Sequence, residues 1–384
     1  MIGDWTPIFV LPNISVETAV GCEIAALAPA HDSRVSALKK SHPMFRRFLN
    51  RFSDNFGEKF EPSVLLVHTS ASSVFREVGA LASFRDLIAL ATVTRSRALE
   101  LQRPRGLRIL FGEAFAIYPW MLDRHYEDLI GKTLAILGTH EVARFKGQSS
   151  PAVFRSQLSE SDIDQPLLTA LMKRWRRRYE ASNPVWEDVA LMRSLNMAYQ
   201  ATLLPAGTDT TFYDVGRIVA LWVSAFEILT HPGAGGIANR DKVFELIEGT
   251  QWAIPKSGEK LYETGGNARI MRTMASWLYQ KLHDCRNDFL HGNPVERSNL
   301  VLQTPQRSIF DYAAPLYRIA LTSFLQLNFP SEMPSTDDTN ALGAYIADRM
   351  SFRGPQKDAE EALLTAKRPP QVGELRRPRA AKNL

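Results

Sequence analysis

The sequence predicts an α+β protein: a mixed α/β N-terminal domain over residues 1–155, followed by an all-α helical bundle over residues 162–330. Three observations predict it. Apolar runs of strand length, bounded by Gly, Pro or polar residues, lie in the first part of the chain. From about residue 162 the apolar residues recur with a helical period instead. Between the two, residues 152–162 are polar and Ser-rich, as a connection is.

In the first part, residues 7–11, 63–67, 107–111 and 133–137 read as strands. A helix over 73–101 carries Val78, Leu81, Ala82, Leu87, Ile88 and Ala91 at helical spacing. In the second part, residues 164–179 open with acidic residues and Pro166 and end in arginines, an order that suits the helix dipole at both ends. Residues 186–204 form a second helix stopped by Pro205, and 211–229 a third with an unbroken apolar stripe. A glycine-rich loop at 231–236 leads to a short helix over 241–248. A long helix over 267–290 and a last one over 308–329, with a kink expected at Pro315, complete the bundle. Residues 331–384 hold one more helix, from Asp337 to Met350, and a basic, Pro-rich tail expected to be disordered.

The chain has 384 residues, 45% of them hydrophobic and 23% charged, the balance of a globular protein with a large core. Its two cysteines, Cys22 and Cys285, provide no disulfide framework and suit a reducing compartment. Met1–Trp5 has no basic region followed by an apolar run, so a secretory leader is not expected, and no apolar stretch approaches the roughly 20 residues that cross a bilayer. The expected location is the cytoplasm, away from membranes. A net charge of +5 is compatible with a polyanionic partner.

The densest chemistry is Arg286-Asn287-Asp288-Phe289-Leu290-His291-Gly292, at the end of the long helix. Arginine grips phosphate oxygens in a bidentate fork. An amide positions a hydroxyl, and histidine moves protons near neutral pH. Together they can cleave a phosphodiester with no metal and no cofactor. On RNA the natural reaction is attack of a 2′-hydroxyl on its own 3′-phosphate, with charge on the pentacoordinate phosphorus held by the guanidinium. Arg286 and His291 are five residues apart, about 140° around an ideal helix. They meet at one phosphate if the helix unwinds near His291, or if two copies pair across a two-fold axis. The plainer reading of the same residues is a helix-capping pattern before Gly292.

This stretch resembles the R-N-x-x-x-H motif of HEPN domains. The upstream segment from Ile218 to Leu229, with its apolar run into Ala225, Glu227 and Leu229, is similar to the matching helix of the Apea-like HEPN group. The resemblance covers roughly residues 165–330. It implies a dimerising helical bundle that acts as a metal-independent endoribonuclease, toxin-like or in antiphage defence. The partners it implies are RNA, a second copy of the chain, and an antitoxin or trigger protein. Carried over, the catalytic residues are Arg286, Asn287 and His291, with Glu227 expected to hold Arg286 by a charge-assisted hydrogen bond. The alternative is a noncatalytic bundle that dimerises or recruits RNA or a protein partner, with Glu227 no more than a surface residue.

Other motifs carry less. Arg174, Arg177 and Arg178 share a helix face and are candidates to follow an RNA backbone, with Trp175 stacking on a base or packing inward. The plainer reading is a solvated face with Trp175 in the core. His283 and His291 are too far apart along one helix for a single zinc ion, and His140-Glu141 lacks a second His at position 144, which is Arg. Gly131-Lys132-Thr133 lacks the upstream glycine and following helix of a phosphate-binding loop.

Overall fold

A computed structural model describes residues 4–103, 111–133, 136–150, 157–203, 211–265, 270–302, 307–328 and 333–366 of the chain. The apolar runs at 7–11 and 63–67 are strands, as expected. The chain begins with β1 (Trp5–Leu11), β2 (Val20–Gly21) and β3 (Ala25–Ala28). Helices α1 (Ser33–Ser41) and α2 (Pro43–Leu49), strands β4 (Phe52–Asp54) and β5 (Ser63–His68), and the 25-residue helix α3 (Val78–Gln102) follow. β1, β5, β3 and β2 form an antiparallel sheet in that order. β5 is buried almost throughout because both faces of the sheet are covered. Val64 and Leu66 join Val10 and Ala28 against an aromatic core of Phe45, Phe48 and Phe52. On the other face Leu11, Leu27 and Leu65 meet Phe84 and Ile88 of α3.

Of the expected strand at 133–137, residues 134–135 lie outside the described residues, and Leu137 opens a strand rather than ending one. Strands β6 (Trp120–Leu122), β7 (Asp128–Lys132) and β8 (Leu137–Glu141) form an antiparallel meander, and Thr133 closes the β7–β8 turn on the Ile136 carbonyl at 2.8 Å. Residues 107–110 of another expected strand lie outside the described residues. β9 (Gln148–Ser150) pairs in parallel with β4.

Helices α4 (Gln165–Glu180), α5 (Trp186–Leu203) and α6 (Asp214–Thr230) lie close to the expected bounds. Asp164 caps α4 by accepting the Leu167 N–H. Trp175 is fully buried between Phe75 and Phe84 and donates its indole N–H to the Ala80 carbonyl at 2.8 Å. Arg85 of α3 reaches the Tyr199 hydroxyl of α5, and Asp86 accepts from Asn196. The rest of the chain comprises α7 (Arg240–Glu248), the hairpin β10 (Tyr262–Thr264) and β11 (Ile270–Arg272), α8 (Met274–His291), α9 (Ala313–Phe324) and α10 (Thr339–Leu364). α8 starts seven residues later than the spacing predicts, because the β10–β11 hairpin occupies the front of that segment. Pro315 falls in the first turn of α9, where a proline is tolerated, so no kink in the middle of the helix follows from it. α10 runs on to Leu364 with Pro355 inside it. Residues 367–384, the expected disordered tail, lie outside the description.

The chain divides into two compact units, Met1–Val93 with Ile109–Gly236, and Thr94–Arg108 with Ile237–Leu384. The division does not follow the expected connection at 152–162, part of which lies outside the described residues. The anchoring of α4 and α5 on α3 explains why α4–α6 group with the sheet. Within the second unit a buried polar chain ties α9 to α10. Arg318 donates to Gln356, Gln356 donates to Glu360 at 2.8 Å, and Glu360 accepts the N–H groups of Ala253 and Ile254. Among the described residues no helix is long and apolar enough to cross a membrane.

Candidate functional site

Helix α8 presents the candidate residues. Thr273 starts it by accepting the Ser276 N–H on its hydroxyl. Leu278, Tyr279, Leu282 and Cys285 bury one face of it, a stripe of helical period. Burial pushes the Cys285 thiol up to about 12, with Asp288 and Asp284 adding to it, so this cysteine is no nucleophile at neutral pH. Thr273→Ala is expected to lower stability by about 1 kcal/mol through the lost cap, read as a drop in thermal midpoint.

Beyond Cys285 the side chains become polar and linked. Arg286, half-buried, donates from Nη1 to the Asn287 amide oxygen at 3.0 Å. The Asn287 amide nitrogen lies 3.3 Å from Nδ1 of His283, one turn back. Desolvation, then Arg240 and Arg286, bring His283 down from 6.5 to about 4. The imidazole is therefore neutral at neutral pH, and its Nδ1 accepts from Asn287. That bond and the one from Arg286 set which way the amide faces. The sign for stability follows. Folding disfavours charged His283, so the unfolded chain binds more protons between pH 6.5 and 4, and stability falls as pH drops through that window. Urea titrations at successive pH values are expected to show this acid limb, and His283→Gln to flatten it.

The helix does not unwind near His291. Helical geometry holds through His291, and Gly292 then turns left-handed at φ 71°. The N–H groups of Gly292 and Asn293 both reach the Asp288 carbonyl, and the Asn293 amide donates to the Asp288 carboxylate at 3.0 Å. This Schellman-type ending keeps the last turn regular. Of the two routes by which Arg286 and His291 can meet at one phosphate, unwinding is thereby removed. Within one chain they leave the helix about 140° apart. His291 is exposed and lies one turn beyond Asn287 on the same side. Leu290, beside it, is 57% exposed.

Glu227 is half-buried on α6, in the first unit. The α4 arginines are engaged differently from the expected role. Arg174 and Arg177 both close on Asp188 of α5, a fully buried carboxylate, Arg177 with an Nη2–Oδ1 distance of 2.8 Å. A phosphate on this face competes with that carboxylate. Arg178 lies 5.0 Å from the centre of the Tyr179 ring. Trp175 is in the core, as the plainer reading has it. Among the described residues no group of three or more His, Cys, Asp or Glu is placed to hold a metal ion.

Comparison with protein-family models, curated proteins and solved structures finds no match for this chain.

Proposed function

We propose that this protein is an endoribonuclease of the HEPN type that cleaves RNA without a metal, as a cytoplasmic toxin or antiphage effector. The observation that carries the reading is the end of α8: a half-buried arginine, an amide aligned by a neutral histidine, and an exposed histidine on a capped last turn. His291 takes the proton of a 2′-hydroxyl as that oxygen bonds to the adjacent phosphorus. The bond from phosphorus to the 5′-oxygen breaks, and the leaving oxygen receives a proton from the imidazolium. The products are a 2′,3′-cyclic phosphate and a 5′-hydroxyl. Arg286 holds the charge gathering on the phosphoryl oxygens, and Asn287 orients the hydroxyl.

The 140° separation favours Arg286 from one chain and His291 from a partner, so the reading includes a homodimer with α8 ends facing each other. Exposed Leu290, beside His291, supports a partner at this end of the helix. An antitoxin or trigger protein is the further partner this role calls for.

The test is total RNA incubated with the purified chain in EDTA. Cleavage by the wild type and none by His291→Ala is the expected result. Intact RNA with both chains would replace the enzyme by a dimerising or recruiting bundle.

A further inference from the structure

A second feature, independent of α8, lies in the first unit. The parallel pairing of β4 with β9 sets Phe52 opposite Gln148 and Ser53 opposite Ser149. Beside this pair opens a cavity of about 700 Å³, within the range of small-molecule sites. Four cations line it: Arg47, Arg51, Lys59 and Lys146. No acidic side chain is in its lining. Among the described residues no ion pair engages any of the four; Arg47 spends one N–H on the Ala143 carbonyl. Four like charges gathered around one cavity repel one another, and a polyanion bound among them relieves that repulsion. The close approach of the two segments depends on Gly147, at φ 145°, where a Cβ would stand 2.8 Å from the Arg51 carbonyl oxygen. Lys146 also lines a second cavity, of about 350 Å³, with Tyr118, Trp120, Phe145 and His140. The rings of Trp120 and His140 are 5.2 Å apart there.

The geometry points to a binding site for a nucleoside polyphosphate. The phosphates sit among Arg47, Arg51, Lys59 and Lys146, and the base enters the aromatic cavity that shares Lys146. Arginine and lysine bind phosphate oxygens by charge-assisted hydrogen bonds, and flat rings take a base by stacking. A nucleotide has the charge for the first cavity and the ring for the second. A bare polyphosphate has only the charge.

Calorimetric titration of the full chain with ATP and with sodium tripolyphosphate tests this. ATP is expected to bind at least tenfold more tightly than tripolyphosphate. Arg51→Gln with Lys146→Gln is expected to weaken both probes at least tenfold, and His140→Ala to erase the preference for ATP while leaving tripolyphosphate unchanged. A charge-matched control, Lys40→Gln with Lys173→Gln, keeps wild-type affinity. Absence of binding, or binding indifferent to the Arg51 and Lys146 changes, overturns the site. Equal affinity for the two probes overturns its nucleoside part. A single-stranded RNA oligomer that binds more tightly than ATP overturns the small-molecule assignment in favour of a nucleic-acid surface.

Discussion

Alanine at His291 is expected to slow RNA cleavage in EDTA by about a hundredfold or more, the range that loss of a general acid–base group produces. The exposed imidazole packs against nothing it would leave vacant, so the thermal midpoint should stay within about one degree, as for other surface substitutions. Arg286→Ala should be similarly inactive. The sharper expectation concerns the two inactive chains mixed. In a mixed dimer one site carries both changes and the other carries neither. With random exchange half the dimers are mixed, so activity should return to about a quarter of wild type. A site built within one chain would give no recovery on mixing. That result would sink the two-chain arrangement.

Asp188→Ala is expected to have the largest effect on folding. The carboxylate is fully buried and serves two guanidiniums on the preceding helix. Arg177 is 55% exposed and can turn to water, but Arg174 is only 20% exposed and would keep an uncompensated charge partly inside. Breaking a buried pair from one side costs several kcal/mol, and the solvent at Arg177 reduces this to about 2–3 kcal/mol. The thermal midpoint should fall by roughly 5–10 °C. Asp188→Asn keeps the shape and one acceptor oxygen and should cost about half as much. A variant as stable as wild type would mean that the two arginines find other partners at no cost.

The helices were legible where an apolar stripe and a cap occur together, as in α4, with Asp164 before it, and α6. The strands were legible where the run is β-branched or bulky, as in β1 and β5. β3 was missed because Ala-Ala-Leu-Ala has little strand preference of its own. It is a strand because β5 pairs with it along its whole length. The run at 133–137 misled because periodicity alone does not fix where a short strand begins: Leu137, its last residue, is the first of β8. Similarly, the spacing of Arg286, Asn287 and His291 can be read directly, but the fate of Arg174 and Arg177 cannot. Their partner lies 14 and 11 residues away on the next helix, and only tertiary packing brings it inside. The cavity of Arg47, Arg51, Lys59 and Lys146 was invisible for the same reason. It is assembled by pairing strands almost a hundred residues apart.

The bond between Asn287 and His283 makes a side-chain amide sensitive to acidity. Once His283 takes a second proton, Nδ1 can only donate, and the amide must rotate by half a turn to offer its oxygen. That oxygen then abandons the guanidinium of Arg286. Acidification would disassemble the phosphate-gripping corner while the helix that carries it stays wound.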